Sequence, residues 1–309
     1  MRLRCASLRS DAVTAVRSRG LAATAWRSTA RHRAGGHATD APGHRANVAA
    51  TVRGRLLSSV RAPLPNLGSA IDARACASLN RRGYAVVDGF LGETWCHLLR
   101  DDIITLAERR LLGRNATHLV RRGTTSLLVK NNIFETEIGA HEDARDAAPH
   151  LATLYNDSTL RDRLRECVGG PLRSQSLKVQ LNHGNGGCFP LHFDGDPSLD
   201  DRVITAVLYL NPDWSDADGG HLQLVPFPER PVDVAPRFDR LVLFASHDTL
   251  HRALPSQNVR FCVTLWFYRT EPGGGAAAAD ETKAERRLMA RYAYREAWAR
   301  SIRESHAPG

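Results

Sequence analysis

Arg260-Phe261-Cys262-Val263-Thr264-Leu265-Trp266-Phe267 alternates without a break. Phe261, Val263, Leu265 and Phe267 give one apolar face; Arg260, Cys262, Thr264 and Trp266 give a mixed one. Side chains along a strand point to opposite faces with period 2, so this stretch predicts a β-strand. A half-buried strand normally turns such a mixed face to water. The residues upstream point elsewhere. Nine positions before Arg260 stands His251, and fifty-nine before that stands His192-Phe193-Asp194. With those neighbours the mixed face can line a polar cavity, with a guanidinium ready for a bidentate contact to a carboxylate.

A His-x-Asp on a strand presents both side chains on one face. A histidine from a distant strand would complete a set of two imidazoles and one carboxylate. Such a set leaves three adjacent positions open on iron(II), enough for a bidentate ligand and dioxygen. Taken alone, His-x-Asp is also the pattern of a solvated loop pair. Arg260 has its own bland alternative, an ion pair with an internal acid. His247, four residues before His251, competes with it for the third position.

Further segments set these residues in a wider frame. They are Ala206-Val207-Leu208-Tyr209-Leu210-Asn211-Pro212-Asp213-Trp214, Gly219-Gly220-His221-Leu222-Gln223-Leu224, Arg237-Phe238-Asp239-Arg240-Leu241-Val242-Leu243-Phe244 and His251-Arg252-Ala253-Leu254-Pro255. With them, Pro190 to Tyr268 resembles the catalytic core of the Fe(II)/2-oxoglutarate dioxygenases. Within these it most resembles the prolyl 4-hydroxylases, especially the oxygen-sensing type. Weaker similarity reaches back to Leu79-Asn80-Arg81-Arg82-Gly83-Tyr84-Ala85-Val86-Val87-Asp88-Gly89-Phe90-Leu91.

The resemblance implies a mainly β fold with bracing helices, built on a double-stranded β-helix, or jelly roll. It implies Fe(II) held by His192, Asp194 and His251, which Leu254-Pro255 and Arg260 follow as they do in the family. A carboxylate at Asp194 fits hydroxylation rather than halide transfer. 2-Oxoglutarate and O2 are the implied co-substrates, with L-ascorbate as an auxiliary reductant. Arg260 would hold the distal carboxylate of 2-oxoglutarate, and Thr264, on the same face, would add a hydroxyl or hold a water. The implied reaction is 4-hydroxylation of a prolyl residue in a protein substrate, with release of succinate and CO2. Two alternatives stay open: an oxygenase of the same superfamily acting on a small molecule or another substrate, and a metal-binding jelly roll that works as an interaction module without catalysis.

The chain departs from the oxygen-sensing pattern at one point. Those relatives use a tyrosine against the distal carboxylate, and the aligned positions here are Asn182 and Leu208. Tyr209 is adjacent and is expected to face the opposite side, leaving Asn182 to donate in place of the phenol. A nucleobase demethylase would carry a second arginine six residues after the first, where Trp266 stands. No nucleic-acid substrate is expected.

Charge bears on the same point. The 309 residues carry a net +9. Residues 1–61 hold 12 Arg against Asp11 and Asp40, or +10, and the remainder has 30 basic and 31 acidic residues, or −1. The catalytic part is therefore not a basic nucleic-acid binder. Residues 1–62, Arg-rich and nearly acid-free, read equally as an organellar transit segment, for mitochondrion or plastid, or as a compositionally biased extension of a cytoplasmic protein. No run is long and apolar enough for a transmembrane helix or a secretory signal, so neither membrane insertion nor secretion is expected. The six cysteines (Cys5, Cys76, Cys96, Cys167, Cys188, Cys262) show no Cys-x-x-Cys spacing and read as free thiols.

Residues 63–171 read as the helical and strand-bearing first part of the catalytic domain. Within it, Ser69 to Arg82, Glu93 to Leu112 and Asp157 to Cys167 are expected helices, and Tyr84 to Phe90 a strand. Gly113 to Gly139 is expected to be irregular around one strand at Ser126 to Lys130. As a loop over the site it offers Arg121, Arg122, Lys130, Asn131 and Asn132 to a substrate. Residues 172–270 read as the β core. Residues 271–309 read as a Gly/Ala linker and an Arg-rich helix over Ala284 to Ser301. The sequence does not fix an oligomeric state.

Overall fold

The computed structural model of the protein describes residues 63–121, 124–195, 201–226 and 229–270. The extension 1–62, the Gly/Ala linker and the helix expected at Ala284 to Ser301 lie outside the described residues.

A 3-10 turn at Leu67–Ala70 leads into α1 (Ala73–Arg82). The Asp72 carboxylate caps this helix by accepting from the Ala75 N–H at 2.7 Å, and Gly83 ends it at φ 82°. Extended backbone at Ile71 keeps the helix from starting at Ser69. Then follow β1 (Tyr84–Asp88) and α2 (Glu93–Glu108). Next come β2 (Gly113–Arg121), β3 (Thr124–Glu137), α3 (Glu142–Ala147), α4 (Pro149–Asn156) and α5 (Thr159–Val168). The remaining strands are β4 (Ser174–Asn182), β5 (Arg202–Tyr209), β6 (Leu222–Val225), β7 (Val232–Val234), β8 (Arg240–Ala245), β9 (Leu250–Ala253) and β10 (Arg260–Tyr268). No helix of the described residues is long and apolar enough to cross a membrane.

The strands form two antiparallel sheets. The larger runs β1-β8-β5-β10-β4-β3-β2 and the smaller β7-β6-β9. Strand β10 lies between β5 and β4 in the larger sheet. Its apolar residues Phe261, Val263, Leu265 and Phe267 pack with Leu99, Leu151 and others from the helices in one core. Its opposite face, with Cys262, joins Tyr209, Val242, Phe244 and Leu224 in a second core between the two sheets. The clean alternation of the sequence thus separates a helix-braced side from an inter-sheet side, as in a jelly roll.

Two expectations need correcting. Gly113 to Gly139 is not an irregular loop around one strand; it is mostly the β2–β3 hairpin. A register shift between Arg114 and Ala116, and a left-handed Asn132 at φ 63°, break the period that would have revealed it. Pairing of β3 with β4, a long-range contact, completes the strand. Nor are all the cysteines free. Cys76 on α1 and Cys167 on α5 are bonded, their Cα atoms 5.1 Å apart across 91 residues of sequence. No local spacing could signal this pair, because only the packing of two helices brings it together. Cys96, Cys188 and Cys262 are free thiols.

Candidate active site

One cavity of about 180 Å³ opens on the inter-sheet side of β10, and Arg260, Cys262, Thr264 and Trp266 all line it. The mixed face of the strand therefore faces the cavity rather than bulk solvent.

His192, Asp194 and His251 also line this cavity. They are the group of metal-capable side chains found among the described residues, their ligand atoms all within 4.8 Å of one another. His251 comes from β9. His192 meets it through a pair of backbone hydrogen bonds of 2.9 and 3.0 Å, an isolated antiparallel bridge. His247 sits in the turn after β8 and is not in this group.

The surroundings of the three side chains orient them toward one point. Nδ1 of His192 donates to the Pro190 carbonyl at 2.8 Å, and Nδ1 of His251 to the Thr249 carbonyl at 3.0 Å. A carbonyl only accepts, so each ring carries its proton on Nδ1 and turns the Nε2 lone pair inward. Those Nε2 atoms lie 3.3 and 3.5 Å from Oδ1 of Asp194. Oδ2 of Asp194 is already engaged: the Thr205 hydroxyl donates to it at 2.7 Å and Trp266 Nε1 at 3.0 Å. Burial alone would raise the Asp194 carboxyl, but the donors on Oδ2 favour the ionised form and its pKa stays below the usual carboxylate range, which leaves Oδ1 as an anionic ligand atom. Two inward imidazole lone pairs and one carboxylate oxygen fit a divalent iron of the kind the sequence suggested.

The far end of the cavity holds Arg260, which is 5% exposed. It makes no ion pair with a described carboxylate, so the internal-acid alternative fails there. Its guanidinium lies 4.9 Å from the centre of the Tyr209 ring, its NH1 contacts the Cys262 sulfur at 3.5 Å, and its Nε has no partner. The Tyr209 hydroxyl is likewise buried without a partner, and burial pushes its pKa up. The guanidinium's own Nε and the neighbouring Tyr209 hydroxyl, both without an acceptor, suit a carboxylate guest. Thr264, on the same strand face, lines the same cavity.

Two sequence expectations about this end are overturned. Asn182 does not serve as a donor to the cavity. Its amide donates to the Gly187 carbonyl at 2.9 Å and its oxygen accepts from the Gly184 N–H at 2.9 Å, so both ends are committed to the turn after β4. Tyr209 does not face the opposite side. It pairs in register with Cys262 of β10 and so shares its face, while Leu208 packs into the helix-side core. Strand β5 is buried on both faces over Ile204 to Tyr209, so its alternation gave no polarity to read.

Of the wall formed by β3 and β4, the sequence reading named Lys130 but passed over Glu135, Lys178 and Gln180, which line the cavity beside it. Lys178 pairs with Glu135 at 3.1 Å, whose other oxygen takes the Asn115 amide. Of the loop residues offered to a substrate, Lys130 reaches the cavity, whereas Asn132 bonds to the Gly184 carbonyl at 3.2 Å and braces the turn. The side chains of Arg121 and Arg122 lie outside the described residues.

Comparison with known proteins points the same way. A model of the 2OG-Fe(II) oxygenase superfamily matches residues 178–268. The hypoxia-inducible factor prolyl hydroxylase of Caenorhabditis elegans is 33% identical over 217 residues, which cover 67% of this chain and 30% of that protein. Prolyl hydroxylase EGLN3 of Mus musculus is 30% identical over 202 residues, covering 62% of this chain and 81% of the relative. A prolyl 4-hydroxylase structure from Phytophthora capsici superimposes with a TM-score of 0.60 at 28% identity, covering 76% of this chain and 78% of that one. The chain spans 30%, 48% and 51% of the length of the first curated relatives it matches. Identity and coverage of this order, over a site built in this way, establish that the chain belongs to the 2OG-Fe(II) oxygenase superfamily, on its prolyl hydroxylase-like side.

Proposed function

We propose that the protein is an Fe(II)- and 2-oxoglutarate-dependent dioxygenase that hydroxylates a prolyl residue of a protein substrate, as a 4-hydroxylase. The observation that carries this reading is a single cavity with a two-imidazole, one-carboxylate triad at one end and a buried guanidinium with orphaned donors at the other. Relatives named as prolyl hydroxylases support the substrate class.

The superfamily uses Fe(II), 2-oxoglutarate and O2. Together they deliver one oxygen atom to a C–H bond and release succinate and CO2. This chain's residues have distinct tasks in that reaction. His192, Asp194 and His251 hold the metal. Thr205 and Trp266 fix the plane of the Asp194 carboxylate, so that one oxygen stays directed inward. Arg260 and Tyr209 grip the distal carboxylate of the co-substrate, and Thr264 offers a hydroxyl between the two ends. The inter-sheet core behind Phe244 and Leu222 keeps bulk water from the rear of the cavity.

The test joins two readouts. Purified protein with Fe(II) and 2-oxoglutarate is incubated with a panel of proline-containing peptides, and succinate and a mass gain of one oxygen are followed together. Succinate coupled to proline oxidation is the expected result. Succinate coupled instead to a small molecule would move the chain to another branch of the superfamily. No succinate with any partner would leave a metal-binding module.

A further inference from the structure

Asp194 stands outside the named strands, in the segment that links β4 to β5. No ladder of strands fixes its backbone, yet its carboxylate must keep one orientation if Oδ1 is to face a metal. Its N–H donates to the Ser246 carbonyl at 3.1 Å. Its own carbonyl accepts from NH1 of Arg202. Arg202 is not among the described residues that line the cavity, so it reaches this ligand from outside the lining.

The course of β5 explains how Arg202 comes to be there. Along a regular strand, residues three apart point to opposite faces. Arg202 and Thr205 are three apart, and both engage Asp194, Thr205 through its hydroxyl at 2.7 Å from Oδ2. The pairing of β5 with β10 supplies the reason. Phe267 pairs with Ile204 and Tyr268 with Arg202, so two steps along β5 answer one step along β10, and Val203 is the extra residue of a bulge. A bulge re-aims the side chains beside it. Here it brings Arg202 to the side that Thr205 occupies.

The same guanidinium meets two rings of β10. Its central carbon lies 4.5 Å from the centre of the Trp266 ring and 5.6 Å from that of Tyr268, and its NH2 donates to the Tyr268 hydroxyl at 3.4 Å. Trp266 in turn donates from Nε1 to Oδ2 of Asp194 at 3.0 Å. A cation over an indole face is attracted by the ring, which steadies the plane that aims Nε1 at the carboxylate.

We propose that Arg202 is a positioning residue for the metal ligand Asp194. It grips the ligand's backbone carbonyl and steadies the Trp266 indole that holds Oδ2. The role rests on the dioxygenase reading in one respect, that a divalent metal sits at the triad. A guanidinium bonded to a ligand residue also repels a dication, so the sign of its effect on metal binding separates positioning from plain charge.

The test measures metal affinity, so that it does not depend on turnover. The full chain, freed of metal, is titrated with Mn(II) by electron paramagnetic resonance, and the melting temperature of the metal-free protein is recorded in parallel. Loss of an outer hydrogen bond to a ligand typically weakens metal binding by about 10–100-fold. Arg202→Met should therefore bind Mn(II) about tenfold more weakly or worse. Arg202→Lys keeps the charge and can still donate to the carbonyl, but it has no plane to lay on the indole, and its affinity should fall between the two.

A role confined to stability would lower the melting temperature of Arg202→Met and leave its Mn(II) affinity, measured well below that temperature, at the parental value. That result would overturn the assignment. Tighter Mn(II) binding in Arg202→Met would overturn it as well, by making repulsion the larger effect. Should Arg202→Met not fold, parental affinity in Arg202→Lys decides against the role. A parent that binds no Mn(II) would remove the metal site, and the dioxygenase reading with it; a parent that binds, beside an equally tight Arg202→Met, removes the role of Arg202 alone.

Discussion

Removing the Arg260 guanidinium would leave a carboxylate guest facing an apolar hole and the Tyr209 hydroxyl. Truncating one partner of a desolvated charge pair costs on the order of 2–5 kcal/mol. Arg260→Ala should therefore raise half-saturation by 2-oxoglutarate roughly 30-fold or more. Arg260→Lys should recover only part, since an ammonium lacks the planar fork. Tyr209→Phe should cost about tenfold, the worth of one hydrogen bond to a charged group. A 2-oxoglutarate titration with metal content measured in parallel checks all three, and an unchanged requirement in Arg260→Ala would remove the clamp.

At the other end, His192→Ala, Asp194→Ala and His251→Ala should each abolish metal-dependent turnover, and His247→Ala should not. Trp266→Phe keeps the ring but loses the donor to Asp194 Oδ2. Loss of such an outer hydrogen bond typically weakens metal binding by about 10–100-fold, which Mn(II) titration by electron paramagnetic resonance would register. Arg260 and the triad could be picked out in the sequence because polar residues on a strand face are unusual and because the segments around them resemble a known family; the residues alone left a solvated loop pair and an internal ion pair open. The role of Trp266 could not be read, because an aromatic on a strand face looks like core until its indole is seen to meet a carboxylate.

Register, at the scale of the element, decides what these residues do. Alternation placed Arg260, Cys262, Thr264 and Trp266 on one face of β10, and that face proved to be the cavity. The same logic failed for β5, where burial on both sides left no polar stripe to orient Tyr209. It failed again for β2 and β3, whose alternation is broken at Ala116 and Asn132.

The turn after β4 offers a test of the corrected reading of Asn182. Asn182→Ala removes two buried hydrogen bonds and should cost about 1–3 kcal/mol of stability while leaving the 2-oxoglutarate requirement unchanged. Gly184 in the same turn has φ +80°, and a Cβ there would lie 2.4 Å from the Gln257 carbonyl oxygen. Gly184→Ala should therefore destabilise by about 2 kcal/mol or more, since strained backbone and steric overlap add. Thermal unfolding measures both effects. A shifted co-substrate requirement in a well-folded Asn182→Ala would restore the amide to the cavity.

The whole molecule divides its labour between two layers. The triad and clamp lie between the two sheets, whereas α1, α2, α4 and α5 brace the far side of the larger sheet through the helix-side core. The Cys76–Cys167 bond belongs to the bracing layer, joining α1 to α5 and closing 91 residues of chain. None of His192, Asp194, His251 or Arg260 lies inside that closed segment. Cross-linking a loop of this length restricts the unfolded chain, and such bonds typically contribute about 2–4 kcal/mol. Reduction, or Cys76→Ser with Cys167→Ser, should therefore lower the melting temperature by several degrees, given roughly 2–4 °C per kcal/mol for a domain of this size. Metal affinity and the 2-oxoglutarate requirement at ambient temperature should stay as they were, because the inter-sheet side does not depend on the bond. Thiol titration of the unfolded protein, with and without reductant, gives the direct count. Equal counts would show that the two sulfurs are not joined in solution, and the helical layer would then be held by its apolar contacts alone.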